Sequence, residues 1–190
     1  HGGMNNAQFL LDRRIPAGDW NTKTAQKELN EMLKAKYPSA DKLVTWVSNY
    51  QVFFDTQKID SLGLDYAAIK QDAVNLLKKN KMVQYACDME KASIESIPEN
   101  IKYRIINGYN RERSGGVQVI LKPAHYSNGM KGTTHGAWNG YDTHIPLVFM
   151  GWGIQHGAST KPVYMTDIAP TVCALLHIQA PNGCIGEPIF

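Results

Sequence analysis

Two histidines and a carboxylate lie close together at positions 132–146, in a stretch of small residues that leads into the apolar run 147–150. An imidazole on a glycine-flanked loop can direct a ring nitrogen at a divalent metal such as zinc, for which neutral imidazole is a common ligand. Rigid scaffolds often present such side chains on loops at the ends of strands. His135 is therefore the leading candidate for a metal ligand, and the alternative is a solvent-exposed loop histidine.

The two other polar residues of this stretch each allow two interpretations. His144 directly precedes the apolar run, so it is either a half-buried histidine bonded to the backbone or a residue that supports a metal ligand. Asp142 either orients one of the histidine rings or forms an Asx-type turn beside Gly140. The remaining histidines lack such a context and are expected to be surface or structural residues: His125, His156 and His177.

An arginine pair near the middle of the chain offers a weaker candidate site. Arg111 and Arg113 precede a Ser-Gly-Gly turn and have the guanidinium groups that an anion site requires. The alternative is that they are solvated or paired with Glu112, as exposed arginines commonly are. Both interpretations stay open from the sequence.

The three cysteines are not spaced as a metal site, because no CxxC motif is present. Cys173 falls within an apolar helical pattern, which favours a buried free thiol. Cys87 or Cys184 would be able to pair in an oxidising compartment, but an odd number of cysteines does not decide whether they do.

Composition limits the class of protein. The 190 residues are 43% hydrophobic and 19% charged, which excludes a disordered or coiled-coil chain and allows one domain or a core with an insertion. The net charge of +3 comes without a nucleic-acid motif, and we expect no nucleic-acid partner. No apolar run approaches the roughly 20 residues that span a membrane. The chain begins at His1 rather than at a methionine, so we expect a processed product or a fragment.

Helical and strand patterns alternate in the first half of the chain. Apolar residues repeat at helical spacing around Leu29 and again around Ala73, and Asp65 is placed to cap the second helix. The predicted strands are residues 43–47, 51–54 and 82–86, the first two joined by a tight turn at 48–50. This order predicts a compact inserted α+β subdomain, which a strand near Ile15 would complete.

The patterns in the second half of the chain predict that it returns to a main sheet. A helix is expected to start at Pro98, and the continuous apolar run 117–121 is typical of a strand buried on both faces. Residues 122–143 form a loop long enough to suggest a function, and 147–150 are predicted to be a strand. A final helix is expected, with Thr166 or Asp167 as its N-cap.

Several motifs together resemble the C-terminal part of phosphate-irrepressible-type bacterial alkaline phosphatases. These belong to the alkaline phosphatase superfamily, which also contains nucleotide pyrophosphatase/phosphodiesterases. The resemblance covers nearly the whole chain, and the motifs that carry it are INGYNR at 106–111 followed by RSG at 113–115, KGTTHG at 131–136, YDTHIPL at 141–147, MTDIAPT at 165–171 and IQAPNG at 178–183.

The resemblance implies an α/β fold: the C-terminal portion of an alkaline-phosphatase-like α/β/α sandwich with an inserted α+β subdomain. Residues 1–18 would be a core segment after a metal-ligand motif, and 19–97 would be the subdomain. Residues 98–190 would be the C-terminal core segment with the metal-ligand loop. The resemblance also implies a periplasmic or secreted protein.

In that family two zinc ions assist a threonine or serine nucleophile, which attacks a phosphate ester to give a covalent phospho-enzyme. By motif, His135 resembles the late histidine ligand of one zinc. His1 resembles the histidine of an Asp-His-Gly ligand pair for the other zinc, with its aspartate upstream of residue 1. His144 would be an alternative ligand or a supporting residue.

The nucleophile and the other ligands of that family lie upstream of the Asp-His-Gly motif, so no catalytic residue is assigned here. We therefore expect the intact protein to be a two-zinc phosphomonoesterase or phosphodiesterase acting on small phosphate esters, and these 190 residues alone to be inactive. The alternatives are a non-catalytic binding or assembly module and a sulfatase-type hydrolase of the same superfamily.

Overall fold

A computed structural model describes residues 3–189 of the chain. The chain divides into two compact units, His1–Ile145 and Pro146–Phe190. Among the described residues, no helix is long and apolar enough to cross a membrane. The limits 19–97 for an inserted subdomain remain a prediction.

The first unit contains a four-stranded sheet and most of the helices. Its elements, in chain order, are α1 (Ala7–Leu11), β1 (Gly18–Asp19), α2 (Thr22–Lys36), β2 (Val44–Ser48), β3 (Gln51–Phe54), α3 (Thr56–Ser61), α4 (Tyr66–Leu77), β4 (Val83–Asp88), a 3-10 helix (Met89–Ile94), α5 (Glu99–Gly108), β5 (Val117–Leu121), β6 (His125–Tyr126) and α6 (Gly140–Thr143).

The four-stranded sheet has the order β2-β3-β5-β4, and every neighbouring pair is antiparallel. β5 lies between β3 and β4, and all five of its residues are buried. This placement differs from the expectation that 117–121 return to a separate main sheet. The apolar pattern correctly indicated burial on both faces, but a strand's partners are set by long-range pairing that the pattern does not contain.

Alternate residues of β5 enter two separate cores. Val117 and Val119 pack in the larger core with apolar residues of α2 and α4, such as Leu29 and Ile69. Ile120 points to the opposite face and joins a smaller core with residues of the 3-10 helix and α5. The two-residue period of a strand thus explains why this sheet is covered on both sides.

Local sequence signals set the ends of several elements as predicted. The Asp65 side chain accepts hydrogen bonds from the amides of Ala67 (2.9 Å) and Ala68 (3.2 Å), which caps α4. Asn49 and Tyr50 adopt positive φ angles of 48° and 60°, as a two-residue hairpin turn between β2 and β3 requires. The strand predicted near Ile15 does not complete the subdomain: Ile15 lies outside any strand, and the two-residue β1 that follows pairs with β6 and not with the four-stranded sheet.

A buried ion pair joins α4 to the end of β4. Lys70 is 2% exposed, and its Nζ donates to Asp88 Oδ1 at 2.9 Å and to Glu90 Oε2. Tyr109 completes the group by donating its hydroxyl to Glu90 Oε1 at 3.1 Å. Because both buried charges are paired, the group ties helix to strand without leaving an isolated charge in the interior.

The second unit has little regular structure. It contains a 3-10 helix (Met165–Asp167) followed by α7 (Ile168–Leu175), which starts where the sequence predicts. Asp167 does not cap the helix with its carboxylate, which instead accepts from the amides of Tyr164 (2.8 Å) and Glu187 (3.1 Å). The strand predicted at 147–150 is not found, because within residues 3–189 this run belongs to neither of the two sheets.

Candidate metal centre

The loop that carries His135, called the histidine loop below, follows β6, and β6 pairs in parallel with β1. Tyr126 at the end of β6 is buried, and its hydroxyl donates to the carbonyl oxygen of Gly132 at 2.7 Å. Burial is the main cause that raises the pKa of Tyr126, so the phenol keeps the proton that it donates. The strand pair thus fixes the point at which the loop turns towards His135.

A second set of hydrogen bonds shapes the turn before Gly132. Asp19 Oδ1 accepts from the amides of Asn128 (3.1 Å) and Gly129 (2.8 Å). Asn128 Nδ2 donates to the carbonyl oxygen of Thr133 at 2.7 Å. A Cβ atom at Gly132 would lie 2.1 Å from the backbone oxygen of Asn128, so only glycine fits there. β1 therefore holds the loop through one carboxylate.

The N-terminal segment packs against the same loop. The amide of Gln8 donates to the carbonyl oxygen of Met130 at 2.9 Å, and Thr133 Oγ1 donates to that of Met4 at 2.7 Å. A Cβ atom built at Gly3 would lie 3.6 Å from His135 Cε1. The start of the described chain thus lies beside the imidazole ring.

His135 is held by the carboxylate of Asp142. Nδ1 of the ring lies 3.0 Å from Asp142 Oδ1, and Oδ2 accepts from the amide of Ala137 at 2.6 Å. The Asp142 side chain is only 4% exposed, whereas that of His135 is 59% exposed. Since a carboxylate can only accept, Nδ1 carries the proton and the lone pair of the neutral ring is on Nε2. Asp142 comes from α6, the short helix between the loop and residue 144.

A half-buried tyrosine at the β2–β3 turn, Tyr50, also lies against the loop that carries His135. The Tyr50 hydroxyl accepts from the amide of Ser127 at 3.2 Å. Burial raises the pKa of this phenol, and the negative charge of Asp142 raises it further. Tyr50 therefore presents a neutral hydroxyl group to the histidine loop.

This donor set fits one imidazole ligand of a zinc site. A carboxylate on the second ring nitrogen is the usual support of a metal-bound histidine, because it fixes the tautomer and the ring orientation. No group of three or more His, Cys, Asp or Glu side chains within residues 3–189 is arranged to hold a metal. A complete four-ligand site would need donors from outside the described residues.

The other histidines predicted from the sequence are dispersed or undescribed. His1 lies outside the described residues. His144 is exposed, not half-buried, and its amide donates to the carbonyl oxygen of Gly140 at the end of α6. His125 is half-buried in β6, and its Nδ1 lies 2.9 Å from the carbonyl oxygen of Pro123. His156 and His177 are exposed.

The arginines and cysteines considered from the sequence are not among the residues described around His135. Arg111 and Arg113 lie exposed in a turn whose backbone is held by Asn110. All three cysteines are free. Burial raises the pKa of Cys87 to about 12, which makes this thiol unreactive at neutral pH.

Sequence reasoning did not identify the residues that shape the loop. Asp19, Tyr126 and Asn128 lie between 7 and 116 positions away from His135 along the chain, and they act through backbone groups. The adjacent Asn128 and Gly129 are a recognisable turn signal. No local pattern, however, indicates which carboxylate accepts the amides of that turn.

Comparison with known proteins supplies the family context. No family model matches the chain. It is 44% identical over 190 aligned residues to the alkaline phosphatase PafA of Elizabethkingia meningoseptica and 50% identical over 189 to the alkaline phosphatase PhoV of Synechococcus elongatus. Each alignment covers 100% of this chain and 34% of the relative. The chain matches the C-terminal part of PafA/PhoV-type alkaline phosphatases.

Solved structures agree with this match. The crystal structure of wild-type PafA superposes with a TM-score of 0.92 and 44% sequence identity, covering 100% of this chain and 36% of PafA. A PafA variant with several substitutions gives a TM-score of 0.91. The α/β fold expected for the C-terminal portion of such a phosphatase is therefore confirmed.

A third relative carries another name. A protein of Myroides odoratus called a calcium-transporting ATPase is 44% identical over 191 aligned residues, which cover 100% of this chain and 35% of that protein. The chain thus spans about a third of the length of each relative that it matches. The comparison therefore does not by itself assign the activity of a whole PafA-type protein to this chain.

Proposed function

We propose that this chain is the C-terminal, metal-ligating segment of a two-zinc phosphomonoesterase or phosphodiesterase. In the proposal the intact protein acts on small phosphate esters through a covalent phospho-enzyme, with a threonine or serine nucleophile upstream of residue 1. The segment alone is inactive. Location in the periplasm is part of the proposal and is supported only by the resemblance to bacterial alkaline phosphatases.

One observation carries the proposal: the buried carboxylate of Asp142 holds Nδ1 of His135 at 3.0 Å. This arrangement makes His135 a neutral ligand with its lone pair on Nε2. A non-catalytic module would gain little from a carboxylate that orients a ring whose side chain is 59% exposed. The names of the PafA and PhoV relatives support a phosphatase rather than another metal-dependent activity.

The position of Gly3 beside the His135 ring supports a role for the chain start. A Cβ atom at Gly3 would approach His135 Cε1 to 3.6 Å, and His1 is joined to Gly3 through a single residue. The proposal assigns His135 to one zinc and His1 to the other, with His144 as an alternative or supporting residue.

Each group has a separate role in this mechanism. Zinc, when bound, polarises phosphoryl oxygens and lowers the pKa of the nucleophile. His135 supplies an imidazole nitrogen, and Asp142 keeps its proton on Nδ1. The glycine-rich loop, held by Asp19 and Tyr126, fixes the position of the ring. The described residues thus bind and orient, and the chemical step belongs to residues outside them.

The test is His135→Ala in the full-length parent protein, numbered as here. We expect zinc content to fall from two ions per chain and turnover of p-nitrophenyl phosphate to drop at least about 100-fold, since the loss of a direct ligand exceeds that of a supporting residue. His156→Ala, which removes another exposed histidine, is the matched control and should change neither quantity.

Two results would contradict the proposal. One is a His135→Ala protein that keeps full metal content and activity. The other is a wild-type parent that hydrolyses no phosphate mono- or diester but hydrolyses ATP with calcium stimulation, as the name of the Myroides relative would suggest.

A further inference from the structure

The turn between β2 and β3 contains a residue that such a turn does not favour. Two-residue hairpin turns with positive φ at both positions prefer glycine at the second one. Tyr50 occupies that position with a φ of 60°, after Asn49 with a φ of 48°. A bulky side chain in this region of backbone space is strained and persists only where its surroundings hold it. Glycine would fit the turn without strain, so the contacts of the tyrosine side chain distinguish the two.

The backbone of this turn is fixed by β5. The carbonyl oxygen of Tyr50 accepts from the amide of Val119 at 2.8 Å and from Gln118 Nε2 at 2.9 Å. Gln118 is 3% exposed, and its Nε2 also donates to the carbonyl oxygen of Val119 at 3.1 Å. The turn is thus bonded to an inner strand of the four-stranded sheet, which sets the direction in which the Tyr50 side chain leaves the backbone.

The Tyr50 side chain lies beside the histidine loop at two places. Its hydroxyl oxygen accepts from the amide of Ser127 at 3.2 Å, directly after β6. Its ring carbon Cε2 lies 3.9 Å from the position of a Cβ atom built at Gly136, the residue that follows His135. The two places lie before and after the turn that Asp19 holds. One side chain therefore borders the loop both at its start and next to the imidazole.

The same side chain is held on its inner side. The Tyr50 ring packs against the larger core, and its centroid lies 6.1 Å from that of the Trp20 ring. Trp20 is 1% exposed and directly follows β1, and its amide donates to the carbonyl oxygen of Tyr126 at 2.8 Å. A functional side chain keeps its geometry to within about 0.5 Å only if the residues that support it are themselves locked by packing and hydrogen bonds. Tyr50 meets this condition.

We propose that Tyr50 is a positioning residue for His135. It joins the β2–β3 turn to the histidine loop and so places the imidazole for the metal. Asp142 sets the orientation of the ring, whereas Tyr50 sets the position of the loop backbone that carries the ring. This inference rests on the proposed function, because it takes His135 as a zinc ligand. It gives the hairpin of the four-stranded sheet a part in the metal site.

Zinc affinity of the full-length parent, measured by competition with a chelator, tests the consequence for the metal. Tyr50→Ala keeps the positive φ but removes the ring and the hydroxyl, and it should weaken zinc binding by about 10-fold or more, as the loss of a supporting residue does. Tyr50→Phe keeps the ring beside Gly136 and loses only the acceptor of the Ser127 amide, so it should retain most of the affinity.

Phe54→Ala is the matched control for lost packing. Phe54 is half-buried at the other end of β3, where it packs against the larger core and lies 5.7 Å from the Tyr66 ring between centroids. Both alanine variants should lower the thermal midpoint, because each removes an aromatic side chain from the same core. Only Tyr50→Ala should weaken zinc binding. Equal zinc affinities of the two alanine variants would overturn the proposal.

Hydrogen exchange of the metal-free parent tests the position of the loop without zinc. Amides of the loop are bonded to side chains, so Tyr50→Ala should speed exchange in peptides covering residues 127–137 by about tenfold relative to peptides from α4. Unchanged exchange would overturn the proposal, even if zinc affinity fell. In a parent that binds no zinc the proposed function fails, and faster exchange still supports the placement of the loop by Tyr50 while unchanged exchange overturns it.

Discussion

His135 and Asp142 form the pair on which the proposed chemistry depends. The two residues are seven positions apart, and the carboxylate reaches back to the ring because α6 turns the chain between them. The carboxylate is also fixed by the amide of Ala137. With both carboxylate oxygens bonded, the side chain has little freedom to rotate, and the ring it holds is set in one orientation.

For this pair of residues we predict that Asp142→Ala in the full-length parent weakens zinc binding by about 10- to 100-fold, the usual effect of removing such a supporting residue. Competition with a chelator measures the affinity directly, and nuclear magnetic resonance of the imidazole nitrogens in the metal-free protein reports whether the tautomer becomes mixed. Asp60→Ala removes an exposed carboxylate of α3 and serves as the control. Unchanged affinity and tautomer in Asp142→Ala would exclude the positioning role.

Among the elements, the link between α4 and β4 shows how the first unit is held together. Lys70 projects from α4 to Asp88 at the end of β4 and to Glu90 in the following 3-10 helix. The hydrogen bond from Lys70 is the main cause that lowers the pKa of Glu90, and the hydroxyl of Tyr109 acts in the same direction. Glu90 is thus bound as the carboxylate, and its protonation opposes folding.

The lowered pKa gives a prediction with a definite sign. A carboxyl whose pKa is lower in the folded state stabilises the fold above its unfolded pKa, about 4.3, and this contribution disappears as the pH falls through the folded value. Glu90→Gln should therefore reduce the free energy of unfolding near neutral pH, and the difference from wild type should shrink below about pH 4. Urea unfolding over a pH series provides the measurement.

Glu31→Gln is the matched control for this experiment. Glu31 lies in an exposed pair with Lys27 at 3.7 Å on the surface of α2, where ion pairs contribute little. Its difference from wild type should be small at every pH. A Glu90→Gln difference that stays constant from neutral to acidic pH would show that the Lys70 contact does not act through the charge of Glu90.

For the whole molecule, the two units differ in how much of their apolar surface is buried. Both hydrophobic cores lie within the first unit. The second unit keeps its local hydrogen bonds, such as that from Thr171 Oγ1 to the carbonyl oxygen of Asp167 at 2.5 Å, but leaves its large apolar residues exposed. The two hydrophobic cores therefore stabilise the first unit, whereas many large apolar side chains of the second unit are exposed.

For the chain as a whole we predict that the purified 190 residues do not hydrolyse p-nitrophenyl phosphate in the presence of added zinc. The described residues provide one imidazole held by a carboxylate, that of His135, and no group of three metal ligands, so the metal centre is incomplete within them. The proposed nucleophile also lies outside them. The full-length parent, assayed beside it, is the positive control. Zinc-dependent turnover by the chain alone, abolished by His135→Ala, would show that the missing parts are not needed.

Prediction from the sequence succeeded where the signal is local. The cap at Asp65, the turn before Gln51 and the start of α7 follow from neighbouring residues, and all three are found. His135 was identified as a candidate because its glycine-rich surroundings and the resemblance to alkaline phosphatases agree. For Asp142 the sequence left two interpretations, and the structure shows its carboxylate bonded to the His135 ring.

Tertiary structure decided the features that depend on partners distant in the chain. An apolar pattern indicates that a strand is buried but not which strand lies beside it, so the antiparallel position of β5 between β3 and β4 was not foreseen. The same pattern at residues 147–150 did not decide strand pairing either, since within residues 3–189 this run belongs to neither sheet. The sequence by itself determined the local elements and the leading metal-ligand candidate. Only the folded chain set the strand order, the burial of Asp142 and the position of Gly3 beside the His135 ring, because each requires segments far apart in sequence to meet.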